Sequence, residues 1–121
     1  MLRCLLCAGF LENIIFELYG DYVRRTSSKP VADYAISALA KVQNPNAQRF
    51  FETAHKFRAD WGVDLNSYMN SDGRREAINS IMKNRHEIAH GRNSGITIVQ
   101  IRNYLDKAIE VAEFIENQIN T

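Results

Sequence analysis

Apolar residues recur at intervals of three or four through the C-terminal part of the chain. They stand at positions 98, 101, 105, 108, 109, 112, 115 and 119. This spacing places them on one face of an α-helix, because an α-helix turns about 100° per residue. Thr97, with Gln100 three residues later, forms a capping-box pattern and marks the start of the helix. The pattern predicts a long amphipathic helix that ends at about Asn120.

Three helices are predicted in the first half of the chain, separated by turn residues. The first covers residues 1 to about 25 and is apolar on nearly all sides, which is typical of a central, mostly buried helix. The second begins at Pro30, a residue that suits the first turn of a helix, and runs to about Val42. The third opens at Pro45 and stops at Gly62, which readily adopts the left-handed conformation of a C-terminal cap.

The segment 63–70 is ambiguous and has room for one helical turn. A further helix is predicted from about residue 73 to residue 90. Ser71 or Asp72 is its expected N-terminal cap, and Gly91 closes it.

No segment alternates apolar and polar residues as a half-buried strand would. We therefore predict an all-α fold: an up-down bundle of about four to five helices in a single domain over residues 1–121, with the last two helices forming an antiparallel hairpin. A chain of 121 residues buries enough surface for one core without a disulfide or a metal. Its 15 Lys and Arg nearly balance 14 Asp and Glu, which excludes proteins that bind through bulk basicity.

Cys4 and Cys7 form a C-x-x-C pair that stands alone in the chain. A zinc site needs a second pair of ligands, and a redox pair needs a strand before it and a helix N-terminus beside it. We expect both cysteines to be buried and to behave as small hydrophobes. The apolar run that contains them ends at Glu12, is too short to span a bilayer and is followed by no cleavage site. We expect a cytoplasmic protein with no membrane partner and no cofactor.

The segment 82–91, Met-Lys-Asn-Arg-His-Glu-Ile-Ala-His-Gly, holds the side chains best suited to chemistry. Arg85 lies within about 20° of Ile78 around the helix, and so at the centre of its apolar stripe. A guanidinium group is rarely buried without a partner. Arg85 is therefore expected to pair with a carboxylate, to extend to solvent along its stem or to face a shared interface. His90 stands at the helix end, next to Gly91 and the loop that follows.

The same residues match H-E-x-x-H from His86 to His90, in which two histidines four residues apart can bind zinc. A zinc hydrolase needs a third ligand, for which the chain offers His55, Glu110, Glu113 or Glu116. It also needs a sheet edge to hold an extended peptide, and no strand is predicted. His55 has core aromatic residues as neighbours and is expected to be a surface or hydrogen-bonded helix histidine. A zinc hydrolase stays open as an alternative.

The run Asn84-Arg85-His86-Glu-Ile-Ala-His90-Gly91, followed by a loop and a long amphipathic helix, resembles the HEPN superfamily, and most of all its stand-alone bacterial ribonuclease-type members. The motif of that superfamily is an Arg, a polar residue, a few further positions and a His, and Arg85, His86 and His90 match it in order. The resemblance implies a small α-helical domain that dimerises so that two Arg/His pairs meet in one cleft. It also implies a metal-independent endoribonuclease of a toxin–antitoxin or phage-defence system, with RNA as substrate and an antitoxin or a larger defence complex as a further partner.

The implied chemistry fits these side chains. RNA supplies its own nucleophile, the 2′-hydroxyl, so cleavage requires proton transfer and a cation that stabilises the charged phosphorane. His90 can exchange a proton near neutral pH, and the planar guanidinium of Arg85 can hold two phosphate oxygens. A homodimer would also explain the position of Arg85, because the apolar stripe would then face a second copy. The remaining site residues are predicted as polar supports of the cleft, Asn84 and His86, and as RNA contacts, Lys83 and Arg92.

Charge is unevenly distributed around the motif. Residues 71–95 hold five Lys and Arg against three Asp and Glu, whereas residues 97–121 hold two against four. Two such basic patches at a dimer axis would form a phosphate-binding groove, although a solvated helix face explains Arg74 and Arg75 equally well. Members of the superfamily that have lost activity act as interaction or nucleotide-binding modules, and this alternative also stays open.

Overall fold

The computed structural model describes residues 9–42, 45–89 and 97–120, and of residues 85–89 only the backbone. Within these ranges the chain forms six helices and no strand, which confirms the predicted all-α fold. The helices are α1 (9–26), α2 (Lys29–Ala40), α3 (Ala47–Phe57), α4 (Ala59–Met69), α5 (Arg74–Ala89) and α6 (Ile98–Ile119). The predictions for Cys4 and Cys7 lie outside the described residues.

The helix α1 packs against α2 and α6 and contains a π-helical turn over Ile15–Tyr19. One face of α1 is buried, and the Tyr19 ring stacks on Phe57 with 5.0 Å between the ring centroids. The opposite face carries the exposed Asn13 and Glu17. The described part of α1 is therefore amphipathic, and not buried on most sides as predicted, because the helices packed against it leave one side exposed.

The predicted third helix is two helices, so the bundle has one helix more than expected. α3 ends at Phe57, Arg58 is extended with φ −152° and ψ 132°, and α4 begins at Ala59. The Arg58 side chain donates to Asp60 from Nε at 3.1 Å and from Nη2 at 3.0 Å, and it lies over the Trp61 ring. A carboxylate in the first turn of a helix is favourable because the helix dipole is positive there. These contacts stabilise the corner at which α4 begins.

Gly62 lies inside α4 and packs against α3, which corrects the prediction that it caps a helix. A Cβ atom at this position would stand 2.6 Å from the Cβ of His55 and 2.8 Å from its Cα. The two helices therefore approach each other more closely than any residue with a side chain would allow. The segment after Gly62 continues α4 to Met69 and is not a single helical turn.

Both α3 and α6 begin with a side-chain cap. The Oδ1 of Asn46 accepts a hydrogen bond from the Arg49 N–H at 2.9 Å, so α3 begins two residues after Pro45. The predicted capping box of α6 is present. The Thr97 Oγ1 accepts the Gln100 N–H at 3.1 Å, and the Gln100 Oε1 accepts the Thr97 N–H at 2.9 Å.

The turn that precedes α5 differs from the prediction of a cap at Ser71 or Asp72. Asp72 and Gly73 both have positive φ, at 55° and 72°, and the chain enters α5 through this left-handed turn. The Ser71 Oγ donates to the Tyr68 carbonyl at 2.7 Å and so bonds back towards α4. The left-handed backbone turn and the hydrogen bond from Ser71 to the end of α4 therefore determine where α5 begins.

The apolar stripe of α5 is buried inside the chain where the structure describes it. Its residues pack chiefly on α6, and α5 also contacts α3 and α4. The buried members are Ala77, Ile78, Ile81 and Met82. This part of the stripe cannot face a second copy of the chain. The prediction that the apolar stripe of α5 forms the dimer interface is therefore wrong for these residues. None of the described helices has the length and apolar content needed to cross a membrane.

Candidate functional site

The predicted motif lies in the last turns of α5. The backbone is helical through position 89, which places Arg85 about one turn before the end of the helix. The side chains of Arg85 and His86 lie outside the described residues, as do His90 and Arg92 altogether. The roles predicted for these four residues therefore remain predictions.

Two predicted site residues are described with their side chains. Lys83 is exposed on α5, and its predicted contact with RNA stays a prediction. Asn84 is partly buried, and its Nδ2 donates a hydrogen bond to the carbonyl oxygen of Ser80 at 2.7 Å. This bond holds the Asn84 amide against the preceding turn of its own helix.

Helical register relates Arg85 to an arginine at the other end of the same helix. Arg74 precedes it by eleven residues, about three turns, and lies within about 20° of it around the helix axis. Ile78 and Ile81 occupy the same face between them and are buried. Positions 74 and 85 therefore mark the two ends of one face of α5.

Arg74 is only 9% exposed, and all three guanidinium nitrogens have partners. Its Nε donates to the Glu110 Oε1 on α6 at 2.9 Å, and its Nη2 to the Asp72 Oδ2 at 3.4 Å. Its Nη1 donates to the Ser71 Oγ at 2.7 Å and to the Tyr68 carbonyl at 3.1 Å. The guanidinium also lies 3.7 Å from the centroid of the Tyr68 ring, which adds a cation–π contact. Arg74 thus joins α5 to α6 and to the end of α4.

Arg75 is also engaged within the chain. Its Nε donates to the Asn70 Oδ1 at 2.7 Å, and its Nη2 donates to the Asn66 Oδ1. Two cations of the predicted basic patch therefore bind intramolecular acceptors, and among the side chains of the patch that the structure describes Lys83 is the exposed cation. Sequence reasoning missed the role of Arg74, although its place on the buried face of α5 was a signal that it needs a partner.

The structure describes the side chains of all four candidates for a third zinc ligand, and two of them, Glu113 and Glu116, are exposed on α6. His55 is exposed on α3, which confirms the prediction of a surface histidine, and Glu110 forms its ion pair with Arg74. In the part of the chain that the structure describes, no three His, Cys, Asp or Glu residues are grouped as a metal site would require. The side chains of His86 and His90 lie outside that part.

Two large apolar side chains are exposed where α6 begins. Ile98 is 57% exposed and Val99 is 67% exposed. Both lie within three residues of the segment 91–96, which joins the motif to α6 in the sequence. An apolar surface therefore lies close in sequence to the predicted catalytic residues.

The chain matches one protein family over nearly its whole length. The RiboL-PSP-HEPN family matches residues 2–121, a range that includes all six helices and the R-x-x-x-x-H segment. No curated protein and no solved structure matches the chain. A HEPN domain is a helical bundle, in agreement with the helices described above. The chain therefore belongs to the RiboL-PSP-HEPN family, and its fold is a HEPN-type helical bundle.

Proposed function

We propose that the chain is a metal-independent endoribonuclease that acts as a homodimer. The observation that carries this proposal is the R-x-x-x-x-H pattern from Arg85 to His90 at the end of α5, in a chain that belongs to a HEPN family. The exposed Lys83, two residues before the pattern, supports the proposal, because a cation at this position is accessible to a phosphate group. RNA is the proposed substrate, and Lys83 and Arg92 are proposed to contact it.

The proposed reaction is an attack of the RNA 2′-hydroxyl on the adjacent phosphorus. The bond between phosphorus and the 5′-oxygen breaks, which leaves a 2′,3′-cyclic phosphate and a 5′-hydroxyl. A homodimer brings two copies of His90 to one cleft, one to accept the 2′ proton and one to protonate the departing 5′-oxygen. Arg85 holds the non-bridging oxygens and stabilises their charge in the transition state. Asn84 and His86 support the walls of the cleft.

The exposed Ile98 and Val99 favour a dimer contact beside this cleft. Isolated exposed apolar residues are ordinary, but two neighbours next to the motif form a surface that a second copy can cover. This contact replaces the buried stripe of α5 as the expected interface. A toxin–antitoxin or phage-defence role in the cytoplasm, with an antitoxin or a larger defence complex as partner, is proposed from the family resemblance.

The experiment compares RNA cleavage by the purified wild-type protein and by three variants in the presence of EDTA. The substitutions Arg85→Ala and His90→Ala remove the proposed catalytic groups, and each should lower the cleavage rate by at least about 100-fold, the usual contribution of acid–base and charge-stabilising groups. His55→Ala is the matched control, because His55 is an exposed histidine on α3. It should cleave at the wild-type rate.

Full activity of the Arg85→Ala or His90→Ala protein would overturn the proposed site. Activity that EDTA abolishes and that added zinc restores would instead favour the H-E-x-x-H hydrolase. If the wild-type protein forms a dimer but cleaves no RNA, the result favours a catalytically inactive HEPN module.

A further inference from the structure

A groove of about 340 Å³ lies between α2 and α3, on helices that carry none of the motif residues. The buried Leu39 and the partly buried Phe57 form its apolar floor. Tyr34 from α2 and two cations from α3, Arg49 and Lys56, also line it. The volume is within the range that small ligands occupy, roughly 300–1,000 Å³.

Tyr34 is 80% exposed, although aromatic side chains are usually covered. Tyr19 and Tyr22 pack on Phe57 in the core, whereas Tyr34 has no ring contact within the described part of the chain. An exposed aromatic ring beside an apolar floor offers a platform on which a planar ring can stack. The groove is therefore suited to a ligand with an aromatic face.

The two cations give the groove affinity for an anionic ligand. Arg49 and Lys56 are seven residues apart, so they lie on the same face of α3, about 10.5 Å apart along its axis. Both are exposed, and among the residues that the structure describes neither forms an ion pair. By contrast, Arg25 binds Asp21 and Lys29 binds Asp33. Cations without a carboxylate partner remain available to phosphate groups.

Glu52 also lines the groove, between the two cations in sequence. A carboxylate only accepts hydrogen bonds, so a ligand that contacts Glu52 must present N–H or O–H donors. The amino groups of adenine, cytosine and guanine are such donors. The groove thus combines a stacking ring, phosphate-binding cations and an acceptor for a base edge.

We propose that the groove between α2 and α3 binds a nucleoside phosphate unit of single-stranded RNA, outside the R-x-x-x-x-H site. The base stacks on Tyr34 over the apolar floor, and the two phosphates that flank this nucleoside in the strand pair with Arg49 and Lys56. This inference rests on the proposed function only in taking RNA as the substrate. It assigns to α2 and α3 the part of RNA binding that Arg74 and Arg75 cannot provide.

The test measures binding of a fluorescent single-stranded RNA of mixed sequence by anisotropy, with every variant placed in the His90→Ala chain. Under the proposed function this background does not cleave RNA, and a gel of the RNA recovered after each measurement shows whether the probe stayed intact. Failure of the groove and failure of the proposed ribonuclease are thereby distinguishable. Circular dichroism checks that each variant is folded, which is expected because Arg25, Lys29, Tyr34, Arg49 and Lys56 are exposed.

The double substitution Arg49→Ala and Lys56→Ala should weaken RNA binding at least tenfold. It should also reduce the slope of log Kd against log salt by about 1.4, the value for two lost phosphate contacts to a single strand. The matched control is the double substitution Arg25→Ala and Lys29→Ala, which removes the same charge from cations that already have partners. The control should leave the salt slope unchanged.

Tyr34→Ala should weaken binding roughly 5- to 150-fold, the range for one lost base stack, whereas Tyr34→Phe should bind as before. Free AMP is then added as a competitor. If AMP displaces the RNA and the Arg49/Lys56 double substitution abolishes this competition, the site also binds free nucleotides. An effect on RNA without competition by AMP would restrict the site to an RNA strand. The proposal fails if the Arg49/Lys56 variant binds RNA as tightly and with the same salt slope as the Arg25/Lys29 control.

Discussion

Arg74 shows how one buried cation can set the relation between two helices. Its guanidinium lies on the buried face of α5, yet each nitrogen bonds to an acceptor in α6 or in the segment before α5. Burial of a charge is costly unless hydrogen bonds and an opposite charge offset the lost hydration. The contact with Glu110 therefore stabilises the α5–α6 hairpin that carries the motif.

Arg74→Ala should lower the free energy of unfolding by about 2–3 kcal/mol, because it removes charged hydrogen bonds and leaves the Glu110 carboxylate without this partner. Arg74→Lys should recover little, since an ammonium group cannot reproduce the planar set of donors. Arg25→Ala, which breaks the exposed pair with Asp21, should cost less than about 1 kcal/mol. Urea denaturation measures all three. Equal stability of the Arg74→Ala and Arg25→Ala proteins would contradict this role.

Tyr19 supplies a prediction about pH. Its side chain is buried in the core, its hydroxyl has no hydrogen-bond partner in the described part of the chain, and burial raises the pKa of Tyr19 above its ordinary value. The unfolded chain ionises this hydroxyl near pH 10, whereas the folded chain does not. The free energy of unfolding should therefore fall above about pH 10, by up to about 1.4 kcal/mol per pH unit.

Tyr19→Phe should remove this part of the pH dependence and should be at least as stable as the wild type at pH 7, because a buried hydroxyl without a partner is unfavourable. Tyr34→Phe, at an exposed position, is the control and should follow the wild-type profile. Denaturation midpoints measured between pH 8 and pH 11 test the prediction. Parallel profiles of the wild type and Tyr19→Phe would refute it.

At the scale of elements, the crossing of α3 and α4 depends on one glycine. Gly62→Ala would place a Cβ 2.6 Å from the Cβ of His55, so the variant should lose about 1–3 kcal/mol through overpacking despite the better helix propensity of alanine. Gly20→Ala is the matched helical control, because the nearest atom to its added Cβ is 3.8 Å away, on the flexible Arg24 side chain. It should gain about 0.5–1 kcal/mol. Thermal denaturation distinguishes the two, and a stabilised Gly62→Ala protein would contradict the close crossing.

Sequence patterns predicted the helices whose first and last residues depend on neighbours in the sequence, such as capping side chains. The α6 helix and its capping box follow from apolar spacing and from Thr97 and Gln100. The sequence does not predict the break between α3 and α4, because contacts with the next helix hold Arg58 in its extended conformation. In sequence alone, a glycine that permits close packing, such as Gly62, also looks the same as a glycine that ends a helix. The burial of Arg74 was missed for a related reason, since its acceptors come from distant parts of the chain.

At the scale of the whole molecule, the proposed cleft requires two copies of the chain. The double substitution Ile98→Asp and Val99→Asp should convert a dimer into a monomer, because it places charge on the proposed contact. Acidic residues suit the first turn of α6, so the helix should be retained. Val63→Asp, at a residue as exposed as Ile98 but on α4, should remain dimeric. Sedimentation measures the mass, and a dimer that survives the double substitution would place the interface elsewhere.

The central claim is that the RNA itself provides the nucleophile at the R-x-x-x-x-H site. The most direct measurement is the chemistry of the ends that the wild-type protein produces from RNA in EDTA. We predict 2′,3′-cyclic phosphate and 5′-hydroxyl ends, no cleavage of DNA of the same sequence, and loss of these products with His90→Ala. Products with 3′-hydroxyl and 5′-phosphate ends, or cleavage of a strand that lacks the 2′-hydroxyl, would contradict the account.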